Sequence, residues 1–197
     1  MKRALIIGFT LLTSLSLAAC SNGSSGHSTA DKSVSSSKKS MQKTVSLAQY
    51  NAIKIGGHGS TEKSVKNVFG KPSVKTDTEI SGAKKKATQY SWTNVGSSLK
   101  GASVNVQFID GVAVGKGYVD AARAKKVTDA QYKSIQTGAD FKTVKKQLGT
   151  PAGEIVSEAA SVSSQVLTYT NGTKSISFTF MNDRLMNKTK TDLGQSS

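Results

Sequence analysis

Apolar residues recur along this chain in two rhythms, and each rhythm is met twice. Between Thr61 and Phe69 the positions Val65, Val68 and Phe69 repeat at helical spacing behind a threonine able to cap the first turn. Phe141, Val144 and Leu148 do the same behind Asp140. Gly70 and Gly149 stand where a helix terminus favours positive φ, and Pro72 and Pro151, the chain's two prolines, prevent continuation. Further along each stretch the period falls to two. Tyr90 and Trp92, then Val104, Val106 and Phe108, alternate with polar neighbours; Leu167 and Tyr169, then Ile176, Phe178 and Phe180, repeat the pattern. Such alternation predicts antiparallel strands with one buried and one wet face. Asp110-Gly111 and Asn171-Gly172 are turn dipeptides that join neighbouring strands as hairpins.

The order of these signals is itself repeated. Ala48-Gln49-Tyr50-Asn51-Ala52-Ile53, followed by Gly56, matches Ala130-Gln131-Tyr132-Lys133-Ser134-Ile135, followed by Gly138. Lys63 to Pro72 matches Lys142 to Pro151, and Phe108-Ile109-Asp110 aligns with Phe180-Met181-Asn182. The expected fold class is therefore α+β. Two tandem repeats, residues 45–122 and 123–193, would each place two short helices before an antiparallel meander, with helices on one face of each sheet. Residues 194–197 form a tail.

A Tyr-x-x-Ile-x-x-Gly stretch, a helix closed by Gly-x-Pro and a following meander resemble the repeat of β-lactamase inhibitory protein-like folds and of small outer-membrane assembly lipoproteins. The resemblance runs from about Leu47 to Leu193 and implies inhibitors, assembly factors or cell-surface lipoproteins as functional classes. It transfers no inhibitory residue onto a numbered position here, and the disulfides usual in the inhibitors are absent, because the chain has one cysteine.

That cysteine sits in the other informative region. Lys2 and Arg3, an apolar run from Ala4 to Leu17, and Leu17-Ala18-Ala19-Cys20 have the three-part layout of an export signal. The run is shorter than the roughly 20 residues of a spanning helix. Leu17 to Cys20 resembles the lipobox of bacterial lipoproteins, which implies cleavage after residue 19 and acylation, of the palmitate type, at Cys20. Residues 20–44, rich in Ser and Lys and nearly devoid of apolar side chains, are expected to be a tether. The expected location is the outer face of the cell membrane, lipid-anchored, with a Gram-positive surface favoured.

The formal charge is +15, and losing Lys2 and Arg3 lowers it by two to +13. Inside a cell that surplus would suggest nucleic acid. Export redirects it to lipid headgroups or anionic wall polymers as partners, with no nucleic acid. A lysine-rich surface serving solubility alone is the other reading.

Catalytic chemistry finds few candidates. His27 falls in the tether and His58 in a glycine-rich loop, acidic residues are scattered singly, and three Ser-x-x-Lys matches lack the partner motifs of penicillin-recognising enzymes. No catalytic residue, metal site or cofactor is assigned, and the chain is expected not to be an enzyme. The aromatic residues of the strands read as core. Their polar neighbours Ser91, Thr93, Asn105, Gln107, Thr168, Thr170, Ser177 and Thr179 would form one continuous polar face, the candidate binding surface, if the two sheets join edge to edge. Three functions fit: a lipid-anchored module binding an unidentified envelope protein, an inhibitor of an extracellular enzyme, or a wall-associated structural protein acting through charge.

Overall fold

Ser46 and Gln49 exchange hydrogen bonds across a capping box and start the first helix, α1 (Leu47–Ala52); Thr61 Oγ1 accepts from Ser64 N–H to start α2 (Glu62–Phe69). The computed structural model describes residues 43–79, 86–159 and 161–193, so Cys20, the export signal and nearly all of the expected tether lie outside the described residues. After Gly70, at φ +83°, the chain turns into β1 (Val74–Glu79), β2 (Lys86–Trp92), β3 (Ser103–Ile109) and β4 (Val112–Val119). Two further helices follow, α3 (Asp129–Ser134) capped by Thr128 and α4 (Phe141–Leu148) capped by Asp140. The remaining strands are β5 (Gly153–Ala159), β6 (Val162–Asn171), β7 (Lys174–Met181) and β8 (Arg184–Asp192).

The expected α+β class with two helix-plus-meander repeats is corrected here. Among the described residues all eight strands form one antiparallel sheet in the order β1 to β8, and the helices are only 6 or 8 residues long, so the fold is dominated by its sheet. The decisive contact is β4 on β5, with Gly115 opposite Ser157 and Tyr118 opposite Glu154. Two separate meanders would each leave an open edge of unpaired N–H and C=O groups there, and pairing removes both edges at once.

The core lies on one face of this sheet. Tyr50, Val65 and Phe69 from α1 and α2 pack on Tyr90, Trp92, Val104, Val106, Phe108 and Tyr118. Phe141, Val144 and Leu148 from α4 pack on Leu167, Tyr169, Ile176, Phe178, Phe180 and Leu185. Aromatic edge-to-face contacts tie helices to strands in both clusters, Phe69 to Trp92 at 5.0 Å and Phe141 to Phe180 at 5.2 Å between ring centres. A polar seam runs between the two clusters, over the strands that join.

Candidate functional site

The strand register places the predicted binding residues on the face opposite the helices. One row across the sheet reads Ser91, Asn105, Gly117, Ile155, Val166, Thr179; the next reads Gln89, Gln107, Gly115, Ser157, Ser164, Met181. Thr168 stands opposite Ser177, Thr170 opposite Ser175, and Thr93 follows the end of β2, where its hydroxyl meets that of Ser73 at 3.1 Å. The seven that lie in strands therefore share one face, with Thr93 just beyond it, but their surface is not the continuous Ser/Thr layer that alternation suggested. Asn105 is buried, and its Oδ1 accepts from the Ser91 hydroxyl. Between the two polar flanks, β4 and β5 contribute Gly115, Gly117, Gly153 and Ile155. Gly117 is required where it stands, since a Cβ there would lie 2.8 Å from the Glu154 carbonyl oxygen across the strand pair. The face is thus a low, partly apolar strip bordered by hydroxyl side chains, with Met181 half exposed at one margin.

On the helix face, the seam holds the most constrained chemistry. Glu154, 2% exposed, pairs with Lys145 of α4 and accepts a 3.2 Å hydrogen bond from the Tyr50 hydroxyl of α1, so one carboxylate links the two helical layers through β5. Burial first, and the Glu154 charge second, push the Tyr50 and Tyr118 hydroxyls far above the ordinary phenol range. Tyr118 Oη is buried without a partner among the described residues. Lys116 reaches from β4 to the C-terminal end of α1, where its ammonium donates to the carbonyls of Ile53 at 2.7 Å, Tyr50 at 3.0 Å and Asn51 at 3.3 Å. They lie at the helix end, where carbonyls run short of intrahelical partners; the Tyr50 carbonyl also accepts from Ile53 N–H at 3.2 Å. Burial lowers the Lys116 pKa to about 8, with the Glu154 charge opposing.

Beside this seam opens a groove of about 850 Å³, bounded by the Asn51–His58 segment on one side and α4 on the other. The exposed Lys54, Lys142 and Lys146 and the half-buried Lys116 line it, with Glu158, Gln165 and Asp183 among its other polar groups. Sequence reasoning left this groove out. His58 read as an isolated loop residue, and no local pattern joins β4, β6 and α4; only the sequence run Lys142, Lys145, Lys146 hinted at a one-sided cationic helix. No group of three His, Cys, Asp or Glu side chains suited to a metal occurs among the described residues, nor is any of their helices long and apolar enough to cross a membrane.

By architecture the described residues belong to the class of open antiparallel sheets backed by helices on one face. More particularly, the chain belongs to the DUF3862 family, described as "Domain of Unknown Function with solved-structure structure", which it matches over residues 57–193. It is also similar to a solved structure from Streptococcus mutans described as a "putative beta-lactamase inhibitor protein". The TM-score is 0.61 at 22% identity, covering 74% of this chain and 94% of that one. At that identity the likeness is one of fold. No curated protein matches the sequence.

Proposed function

We propose that this chain is a non-enzymatic binding module of the cell envelope, held at the membrane by lipid on Cys20, which engages a protein partner through the sheet face opposite its helices. The observation that carries the reading is the one-sidedness of the fold: α1, α2 and α4 all contribute to cores on one face. The opposite face carries the glycine and Ile155 strip between polar flanks. A low, partly apolar strip with a hydrogen-bonding border has the anatomy of a protein interface, with a dehydrated centre and a polar rim.

The test is site-specific photocrosslinking on intact cells. A crosslinker at Thr168 or Ser177 is expected to trap one defined partner, and the same group at Lys133 on α3 to trap none; equal capture from both positions refutes the assignment. Replacing Cys20 with Ala is expected to release the protein to the medium, and full membrane retention contradicts the anchor.

A second reading, inhibition of an extracellular enzyme, is supported by the fold likeness to the Streptococcus mutans protein. Both readings use the same face. Inhibition of a secreted hydrolase by the purified protein at micromolar concentration, lost on Thr168→Arg, favours the second; its absence across cell-wall and secreted hydrolases leaves the first.

A further inference from the structure

We infer that the groove between the Asn51–His58 segment and α4 binds a polyol phosphodiester, the lysines taking the phosphate and the acceptors that line it taking the hydroxyls. Lys145 and Lys146 each lie about one helical turn from Lys142 on α4, an arrangement of like charges that weakens a helix left to itself. Lys145 is neutralised by Glu154. Lys142, Lys146 and, across the groove, Lys54 form no ion pair among the described residues. An external anion is what this trio lacks.

The second observation concerns hydrogen-bond donors. Gln165 lines the groove and is 3% exposed. Its Nε2 donates to Ser163 Oγ at 2.8 Å and to Asp183 Oδ1 at 3.1 Å. Because a carboxylate only accepts, Asp183 fixes which end of the amide is nitrogen. Gln165 Oε1 is left buried with no donor among the described residues. That oxygen is closed to solvent in the unliganded chain, so a ligand that opens access to it on binding satisfies it by bringing hydroxyl or N–H hydrogens as well as negative charge.

Two features choose between ligands that do. Glu158 and Asp183 face the same space; they repel any negative charge brought against them, and they accept from the hydroxyls that a polyol phosphate, unlike an acidic side chain, carries beside its charge. The cationic groups lining the groove are lysines, compact point charges that hold a phosphate oxygen without the bidentate fork of arginine, which binds carboxylates and phosphates alike. Glycerol phosphate units supply this chemistry either in a soluble chain or in a lipid headgroup. The site is on the helix face, so its fate is separate from that of the sheet-face reading.

Calorimetry on the full mature chain, with a short poly(glycerol phosphate) as probe, tests the inference. Binding is expected to weaken with salt and to fall at least tenfold in Lys142→Glu/Lys146→Glu, whose positions are exposed, while Lys125→Glu leaves it unchanged. Gln165→Met is expected to weaken poly(glycerol phosphate) several-fold and to leave poly-glutamate unaffected. Should that variant not fold, the wild-type preference for poly(glycerol phosphate) over poly-glutamate of equal charge carries the same information. No binding, or poly-glutamate binding as tightly, overturns the inference, the latter in favour of an acidic peptide. Competition between the soluble chain and phosphatidylglycerol vesicles identifies the source: displacement from vesicles marks the polymer as the tighter ligand, and vesicle binding that the polymer cannot displace marks the headgroup.

Discussion

Replacing Lys145 with Met isolates the energetic role of the seam. Glu154 has a side chain 3% exposed, against 28% for Lys145, so removing the lysine strands a carboxylate whose one remaining hydrogen bond comes from Tyr50. Breaking a buried pair from one side costs about 3 to 5 kcal/mol. Partial exposure of Lys145 points to the lower end, about 3 kcal/mol, a large share of the roughly 5 to 15 kcal/mol that holds a domain together. Glu154→Leu is milder. Lys145 can then turn to solvent, and the loss is the unpaired Tyr50 hydroxyl, about 1 to 2 kcal/mol. The double variant Lys145→Met/Glu154→Leu should lose about as much as Glu154→Leu alone, giving a coupling equal to the whole Lys145→Met loss, about 3 kcal/mol. Urea unfolding followed through Trp92, the chain's single tryptophan and 1% exposed, reads each value directly. In thermal unfolding Lys145→Met should lower Tm by about 6 to 12 °C. A loss below about 1 kcal/mol for Lys145→Met, or strict additivity in the double variant, would refute the picture of one carboxylate joining two helical layers.

Other perturbations follow from the same geometry. Lys116 has a folded pKa of about 8 against 10.5 for the free side chain, so between those values the unfolded chain holds more protons. Its charge penalty is complete below pH 8 and is relieved as pH rises toward 10.5. The stability of the wild type relative to Lys116→Met should therefore increase across that window, by about 1.4 kcal/mol per pH unit at most, and denaturant titrations of both proteins from pH 7 to 10 check it; a flat difference contradicts it. Ser46→Ala removes the capping box of α1 and should cost about 1 kcal/mol, read as a small fall in Tm. Thr168→Arg and Ser177→Arg, on the face opposite the helices, should leave unfolding within about 0.5 kcal/mol of wild type while abolishing partner capture in the crosslinking assay.

Local chemistry was written plainly in the chain. Every apolar residue of the period-two runs, from Tyr90 and Trp92 to Phe178 and Phe180, is buried, and both Gly-x-Pro stops end a helix. These features depend on neighbours a few residues away, which a pattern records. Neither β4 nor β5 announced its partner: Gly115 and Gly117 interrupt alternation in one, and Glu154 breaks the apolar side of the other. Backbone pairing between them uses groups common to all residues, so sequence alone left two sheets where folding made one. The lysine groove, the buried Glu154 and the acceptor of Gln165 arise only from that junction, because it brings β4, β5, β6 and α4 to one place. Sequence determined which faces are wet and where helices stop; tertiary structure alone decided what meets between them, since side chains far apart in the chain acquire charge, burial and missing partners only once the sheet has closed.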